Sequence, residues 1–119
     1  MKLCNIGVRA LIKRNNKVLL VQRSENSAKS GYWELPGGKT DCQKPTIAIR
    51  REIKEETGLN TLKFKPRKSL KDGKYTVIYF DVKASGKVKL QESEAQGYGW
   101  FTNKEAKKLN LVSHTRRII

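Results

Sequence analysis

Three glutamates, Glu52, Glu55 and Glu56, fall on consecutive turns of one helical stretch that follows the glycine pair Gly37 and Gly38. Carboxylates three and four residues apart share a helix face and repel one another by about a few tenths of a kcal/mol per pair. Such a cluster is explained when something positive sits against it. Hard oxygen donors suit Mg²⁺ or Mn²⁺, which bind through carboxylates plus water and usually share their shell with a substrate phosphate. The plainer alternative is a solvated acidic face. The glycine turn before the helix and Arg51 beside Glu52 favour the metal site.

The segment from Gly37 to Leu59 resembles the signature of Nudix hydrolases, G-x5-E-x7-R-E-U-x-E-E-x-G-U, with U a bulky aliphatic residue. Arg51, Glu52, Ile53, Glu55, Glu56, Gly58 and Leu59 fall in register, and Trp33 to Lys39 resembles the approach to that box, so about a quarter of the chain carries the likeness. Gln43 stands where the signature has a glutamate ahead of the helix. If the family's glycine is Gly37 the loop length is right; if it is Gly38 the loop is one residue short. A change in loop geometry or outer-shell charge is expected from Gln43 more than a loss of activity, with Asp41 as a partial substitute.

The resemblance implies a site. Glu52 and Glu56, one turn apart, are expected as direct metal ligands, with Glu55 ligating or acting through water. A backbone carbonyl at the glycine turn, from Gly37 or Gly38, joins them. Arg51 is expected to hold a glutamate by a charge-assisted hydrogen bond. A further acid from a later loop, serving as metal ligand or base, falls on Glu94, with Glu92 the runner-up. Arg23 and Lys39 could hold phosphates from the opposite side, or could be surface cations. Tyr32, Trp33, Tyr75, Tyr79 and Phe80 could stack on a base, although aromatics in strands are more often core. The single histidine, His114, reads as an exposed helix residue.

Phosphoanhydride hydrolysis asks little covalent chemistry of a protein and much charge neutralisation and positioning. The resemblance therefore implies Mg²⁺-dependent cleavage of a nucleoside diphosphate linked to a further group. A (deoxy)nucleoside triphosphate released as monophosphate and pyrophosphate leads, ahead of dinucleoside polyphosphate, ADP-ribose and the triphosphate end of RNA. From another class, a noncatalytic nucleotide- or RNA-binding module on the same fold stays open, because fold alone does not guarantee function.

A length of 119 residues predicts one compact domain over residues 1–119. No apolar run approaches the roughly 20 residues of a membrane span, and the first residues lack the pattern of a signal peptide. The cytoplasm is the expected compartment, and either a monomer or a homodimer suits the family. The net charge of +15 attracts polyanions, so nucleotides and RNA are candidate partners. The basic residues are thickest at Lys63, Lys65, Arg67, Lys68, Lys71 and Lys74, and again at Lys104, Lys107, Lys108, Arg116 and Arg117, where a solvated lysine-rich surface competes with a nucleic-acid face. Cys4 and Cys42 lack paired metal or redox spacing and read as reduced thiols.

The elements that must position the acids follow from periodicity and breakers. Leu3 to Ile12 and Lys17 to Gln22 read as a hairpin turned at Arg14-Asn15-Asn16, and Tyr32 to Leu35 as a short strand stopped by Pro36-Gly37-Gly38. Pro45 to Thr57 reads as a helix that covers the sheet with Ile47, Ala48, Ile49 and Ile53 and stops at Gly58. Leu62 to Leu70, Tyr75 to Ala84, Val88 to Leu90 and Tyr98 to Phe101 read as strands. Asn103 caps a predicted helix over Lys104 to Leu109, and Ser113 starts a terminal one. The order predicts an α/β/α sandwich around a mixed sheet.

Overall fold

The computed structural model describes residues 3–91, 95–112 and 114–119. A 3₁₀ turn at Leu3–Asn5 leads into β1 (Ile6–Arg14), followed by β2 (Lys17–Arg23), β3 (Trp33–Glu34), β4 (Gly37–Lys39), α1 (Pro45–Thr57), β5 (Asn60–Asp72), β6 (Tyr75–Ser85), β7 (Ala95–Phe101), α2 (Asn103–Ala106) and α3 (Thr115–Ile118). The strands order as β3-β2-β1-β6-β5, with β4 added to β1 and β7 to β2. β1 runs parallel to β6 and antiparallel to β4, so the sheet is mixed as predicted. The hairpin exists, but β1 and β2 pair only at Lys13 with Val18 and Arg14 with Lys17. Beyond that tip the two strands splay, and each takes other partners.

Alternation along β1 decides what each face of the sheet meets. Val8, Ala10 and Ile12 pack with Phe80, Val82 and Ala48, Ile49 and Ile53 of α1. Leu11 joins Val18, Leu20, Leu35 and Tyr79 against Ala106 and Ile118 of the C-terminal helices. Helices thus cover both faces. Ile47 departs from the expected covering set: it is 51% exposed, because its position turns off the stripe formed by Ala48, Ile49 and Ile53. Val88 to Leu90 forms no strand. The Lys89 amide instead donates to Thr57 O at 2.7 Å, which ties this segment to the end of α1.

Pro45 opens α1 where its missing N–H costs nothing, and Gly58 closes it with φ 76°, donating to Lys54 O. Thr57 reinforces the end, with its hydroxyl donating to Ile53 O at 2.6 Å and accepting from Leu59 N at 3.1 Å. At α2 the cap is Thr102, not Asn103. Its hydroxyl accepts from the Glu105 amide, and the Glu105 carboxylate accepts from the Thr102 amide, a reciprocal box one residue earlier than predicted. His114 is half-buried with φ 68° at the start of α3, in place of the exposed helical position expected, and Ser113 lies outside the described residues.

The cysteines overturn the reading of two reduced thiols: Cys4 and Cys42 form a disulfide across a separation of 38 residues. Register explains it. Gly7 faces Lys39 in the β1–β4 ladder and Thr40 N donates to Ile6 O, so the same antiparallel register carried outward sets residue 4 opposite residue 42. Spacing along the chain carries no trace of that pairing. Closing a loop of this length stabilises a fold by about 3–4 kcal/mol in the chain-entropy account. Reduction should therefore lower the melting temperature by about 12–16 °C. Calorimetry of oxidised and reduced protein, with thiol alkylation counted by mass spectrometry, checks this; two free thiols before any reduction would sink it.

Candidate functional site

β4 and α1 together build the site. The β1–β4 ladder is bonded at Ile6 with Thr40 and at Ala10 with Pro36. Antiparallel alternation then makes Val8 with Gly38 the bonded pair between them and leaves the polar groups of Gly37 and Lys39 facing out of the ladder. Two contacts agree with this: Gly37 N donates to Glu56 Oε1 at 3.2 Å, and Lys39 O accepts from Arg51 Nη2 at 3.0 Å. The Gly37 carbonyl remains outside the ladder. Of the two turn carbonyls, that of Gly37 is the one turned away from β1.

A side chain on either glycine would meet a close neighbour. A Cβ on Gly37 would lie 2.0 Å from Val8 O, at φ 155°. On Gly38 it would lie 2.7 Å from Glu52 Oε2, so the carboxylate of Glu52 is packed directly over that glycine.

The three box glutamates occupy distinct environments. Glu56 is buried, only 7% exposed. Burial pushes its pKa from the ordinary 4.5 up to about 8, opposed by Arg9 and by the Gly37 amide and assisted by the negative charges of Glu34 and Glu52. Glu52 is mostly buried and takes a hydrogen bond from Arg51 Nη2 at 2.9 Å. Glu55 is half exposed, 3.8 Å from Arg51 Nε. Arg51 thus holds Glu52 and reaches further. It also donates to the Gln43 side-chain oxygen and lies 3.8 Å from Asp41. Gln43 keeps an oxygen toward Arg51 although it lacks the charge of a glutamate.

Among the described residues no group of three His, Cys, Asp or Glu side chains is gathered closely enough to hold a metal ion. The donor set nevertheless fits a hard cation in kind: Glu52 and Glu56 both meet the glycine turn, the Gly37 carbonyl is outside the ladder, and Glu56 is a buried acid held near two other acids without a cation of its own beyond Arg9. Glu92 and Glu94 lie outside the described residues.

Arg23 and Lys39 are placed differently from one another. Arg23 is turned to Glu34, at 3.1 Å, and its Nε donates to Ala28 O at 2.7 Å. Lys39 puts its ammonium 5.3 Å from the centre of the Tyr75 ring. It stands at the edge of a cleft of about 340 Å³ lined by Gly7, Arg9, Gly38, Lys39, Asp72 and Tyr75, a volume in the range of small-molecule sites.

Sequence reasoning assigned no role to Arg9 and Glu34. Glu34 is buried and held by both Arg23 and Arg9, the latter at 3.3 Å, while Arg9 Nη1 donates to Leu35 O at 2.9 Å. The C-terminal segment closes over β3, with Trp33 N donating to Asn110 O and Val112 N to Trp33 O. A signal was present: Arg9 is the lone charge in the run Ile6 to Ile12, where a core strand tolerates a cation only with a partner. Of the aromatics, Tyr79 and Phe80 are core and Trp33 packs edge-to-face on Phe101. Tyr75 is the one that lines the cleft.

The NUDIX domain family matches residues 5–119. A protein named 8-oxo-dGTP diphosphatase from Buchnera aphidicola subsp. Schizaphis graminum is 30% identical over 121 residues, covering 100% of this chain and 92% of that protein. The CTP pyrophosphohydrolase of Escherichia coli K12 is 40% identical over 60 residues, 50% of this chain and 44% of its own length. In structure, a MutT NUDIX hydrolase from Burkholderia pseudomallei superposes with a TM-score of 0.79 at 28% identity, covering 95% of this chain and 93% of that one.

Proposed function

The chain belongs to the NUDIX family of hydrolases, and from that premise we propose that it cleaves a (deoxy)nucleoside triphosphate to the monophosphate and pyrophosphate. The observation that carries this reading is the meeting of Glu52, Glu56 and the Gly37 carbonyl at one turn, beside a nucleotide-sized cleft flanked by Arg9 and Lys39. The relative matched along nearly its whole length is named for a nucleoside triphosphate, 8-oxo-dGTP, which supports a triphosphate over ADP-ribose, for which a relative matched over 32% of its length is named.

Glu52, Glu56 and the Gly37 carbonyl would hold Mg²⁺ or Mn²⁺, with Glu55 reaching it through water and Glu94 as the further acid. The bound ion supplies charge neutralisation at the phosphates and a water of lowered pKa. The rest falls to the chain. Arg51 fixes the Glu52 carboxylate by a charge-assisted hydrogen bond, so its orientation is set before substrate arrives. Lys39 and Arg9 set positive charge along the cleft against the phosphate chain, where preorganised cations stabilise a loose phosphoryl transition state. Glu34 anchors Arg9, and Arg23 anchors Glu34, so Arg23 acts at one remove from phosphate in this arrangement. The Tyr75 ring offers a face to a base or ribose.

Incubation with Mg²⁺ and a panel of nucleoside triphosphates, 8-oxo-dGTP, a dinucleoside polyphosphate, ADP-ribose and 5′-triphosphate RNA tests the proposal. Pyrophosphate and monophosphate from free triphosphates, lost on addition of EDTA, are the expected products. Turnover confined to ADP-ribose or a dinucleoside polyphosphate would move the substrate elsewhere in the family. Binding of metal and nucleotide without cleavage of any would replace the hydrolase with a binding module.

A further inference from the structure

The sheet face that lines the cleft continues away from it along β1, β6 and β5. Directly paired residues share a face, and every second residue of a strand returns to it. Gly7 pairs with Val77, Arg9 with Tyr79 and Leu11 with Asp81, while Lys65 pairs with Asp81 and Lys63 with Lys83. The cleft end of this face therefore carries Arg9, and the far end carries lysines. From Arg9 to Lys13, four residues of extended chain span about 13 Å.

The C-terminal helices cover the part of this face around Leu11, Leu20 and Tyr79. Beyond them the face opens into a groove of about 380 Å³ lined by Lys13, Lys63, Lys65 and Lys83, with Asp81 and Leu11. All four lysines are exposed. The one acid is already engaged, since Arg67 Nη1 lies 3.1 Å from Asp81 Oδ1. Among the described residues the groove thus presents four exposed lysines and no acid other than Asp81, and such a concentration of like charge is relieved by an external polyanion.

We propose that this groove docks the sugar-phosphate backbone of single-stranded RNA. Four point charges on flexible stems suit successive phosphates without fixed geometry. The lysine stems add apolar surface for ribose and base edges, which inorganic polyphosphate lacks. The groove contains none of the residues assigned to hydrolysis, so docking there is independent of turnover.

Fluorescence anisotropy with a short labelled 5′-hydroxyl single-stranded RNA tests this across a salt series. The variant Lys63→Gln/Lys65→Gln/Lys83→Gln should lose at least about tenfold in affinity, and the slope of log K against log salt should shrink by about 2, the release expected for three phosphate contacts at about 0.7 each. The control Lys104→Gln/Lys107→Gln/Lys108→Gln, equal in charge change but placed around α2, should bind within about twofold of the unmodified protein. Glu56→Gln should bind RNA unchanged, whatever it does to hydrolysis. Equal losses in both triple variants would show that net charge alone acts and would overturn the groove. Loss of binding in Glu56→Gln would move RNA to the cleft and overturn it too, and so would absence of RNA binding to the unmodified protein. Displacement of RNA by inorganic polyphosphate as readily as by unlabelled RNA would overturn the assignment to RNA.

Discussion

Glu56→Gln should lower Mg²⁺-dependent turnover by on the order of 10³-fold, about 4 kcal/mol of transition-state stabilisation, and should at the same time make the metal-free protein more stable at alkaline pH. The two effects have one cause. Glu56 is a carboxyl buried against the glycine turn, with a pKa raised to about 8. The folded state therefore binds its proton more tightly than the unfolded chain does. Its favourable contribution is complete below about 4.5 and is lost as pH climbs from there through about 8, leaving a cost of the order of a few kcal/mol in the charged form. Glutamine cannot charge, and its side-chain oxygen can still accept from Gly37 N. In EDTA, the variant should match the unmodified protein near pH 4.5 and exceed its melting temperature at pH 8.5. Added Mg²⁺ should reverse that order at pH 8.5 by stabilising only the unmodified protein. Denaturation of both proteins across pH, with and without Mg²⁺, measures this. A variant that is less stable at pH 8.5 without metal would contradict the account of Glu56 as a poised, buried acid.

The adjacent glycines should fail in different ways. Gly37→Ala drives a Cβ to 2.0 Å from Val8 O and 2.8 Å from Arg9 Cα, both backbone atoms of the central strand β1. Neither can yield without opening the β1–β4 ladder, so the fold should lose about 4 kcal/mol or more. Gly38→Ala instead meets the carboxylate of Glu52, the far end of a side chain that can rotate away. Stability should change by about 1 kcal/mol or less, while hydrolysis should fall steeply because Glu52 leaves both the turn and Arg51. Urea unfolding and turnover measured on the two variants together separate the effects. Equal destabilisation of both would mean that Glu52 is not free to move aside.

Much of the site was legible because it is local. Arg51, Glu52, Glu55 and Glu56 lie within six residues on one helix, and helical periodicity alone sets them on adjoining turns beside the glycine pair. The helix ends were equally legible, since Pro45 and Gly58 act through their own backbone geometry. Short-range reasoning slipped where a neighbouring element outweighed local preference. Val88 to Leu90 has strand-forming residues, but its backbone is taken by the end of α1.

The chain on its own therefore determined the family, the mixed sheet between helices and the acidic helix face, because those depend on residue type and on periods of a few residues. Tertiary structure alone decided the rest. The register of β1 against β4 bridged Cys4 to Cys42 and left the Gly37 carbonyl outside the ladder. The meeting of β1, β2 and β3 put Arg9 and Arg23 on Glu34, and the pairing of β5 with β6 gathered Lys63, Lys65 and Lys83 into one groove with Lys13. Each of these joins residues distant in sequence through a register, and a slip of one residue in that register would turn every side chain to the opposite face. Composition and spacing contain no term for that choice; the packing of both sheet faces makes it.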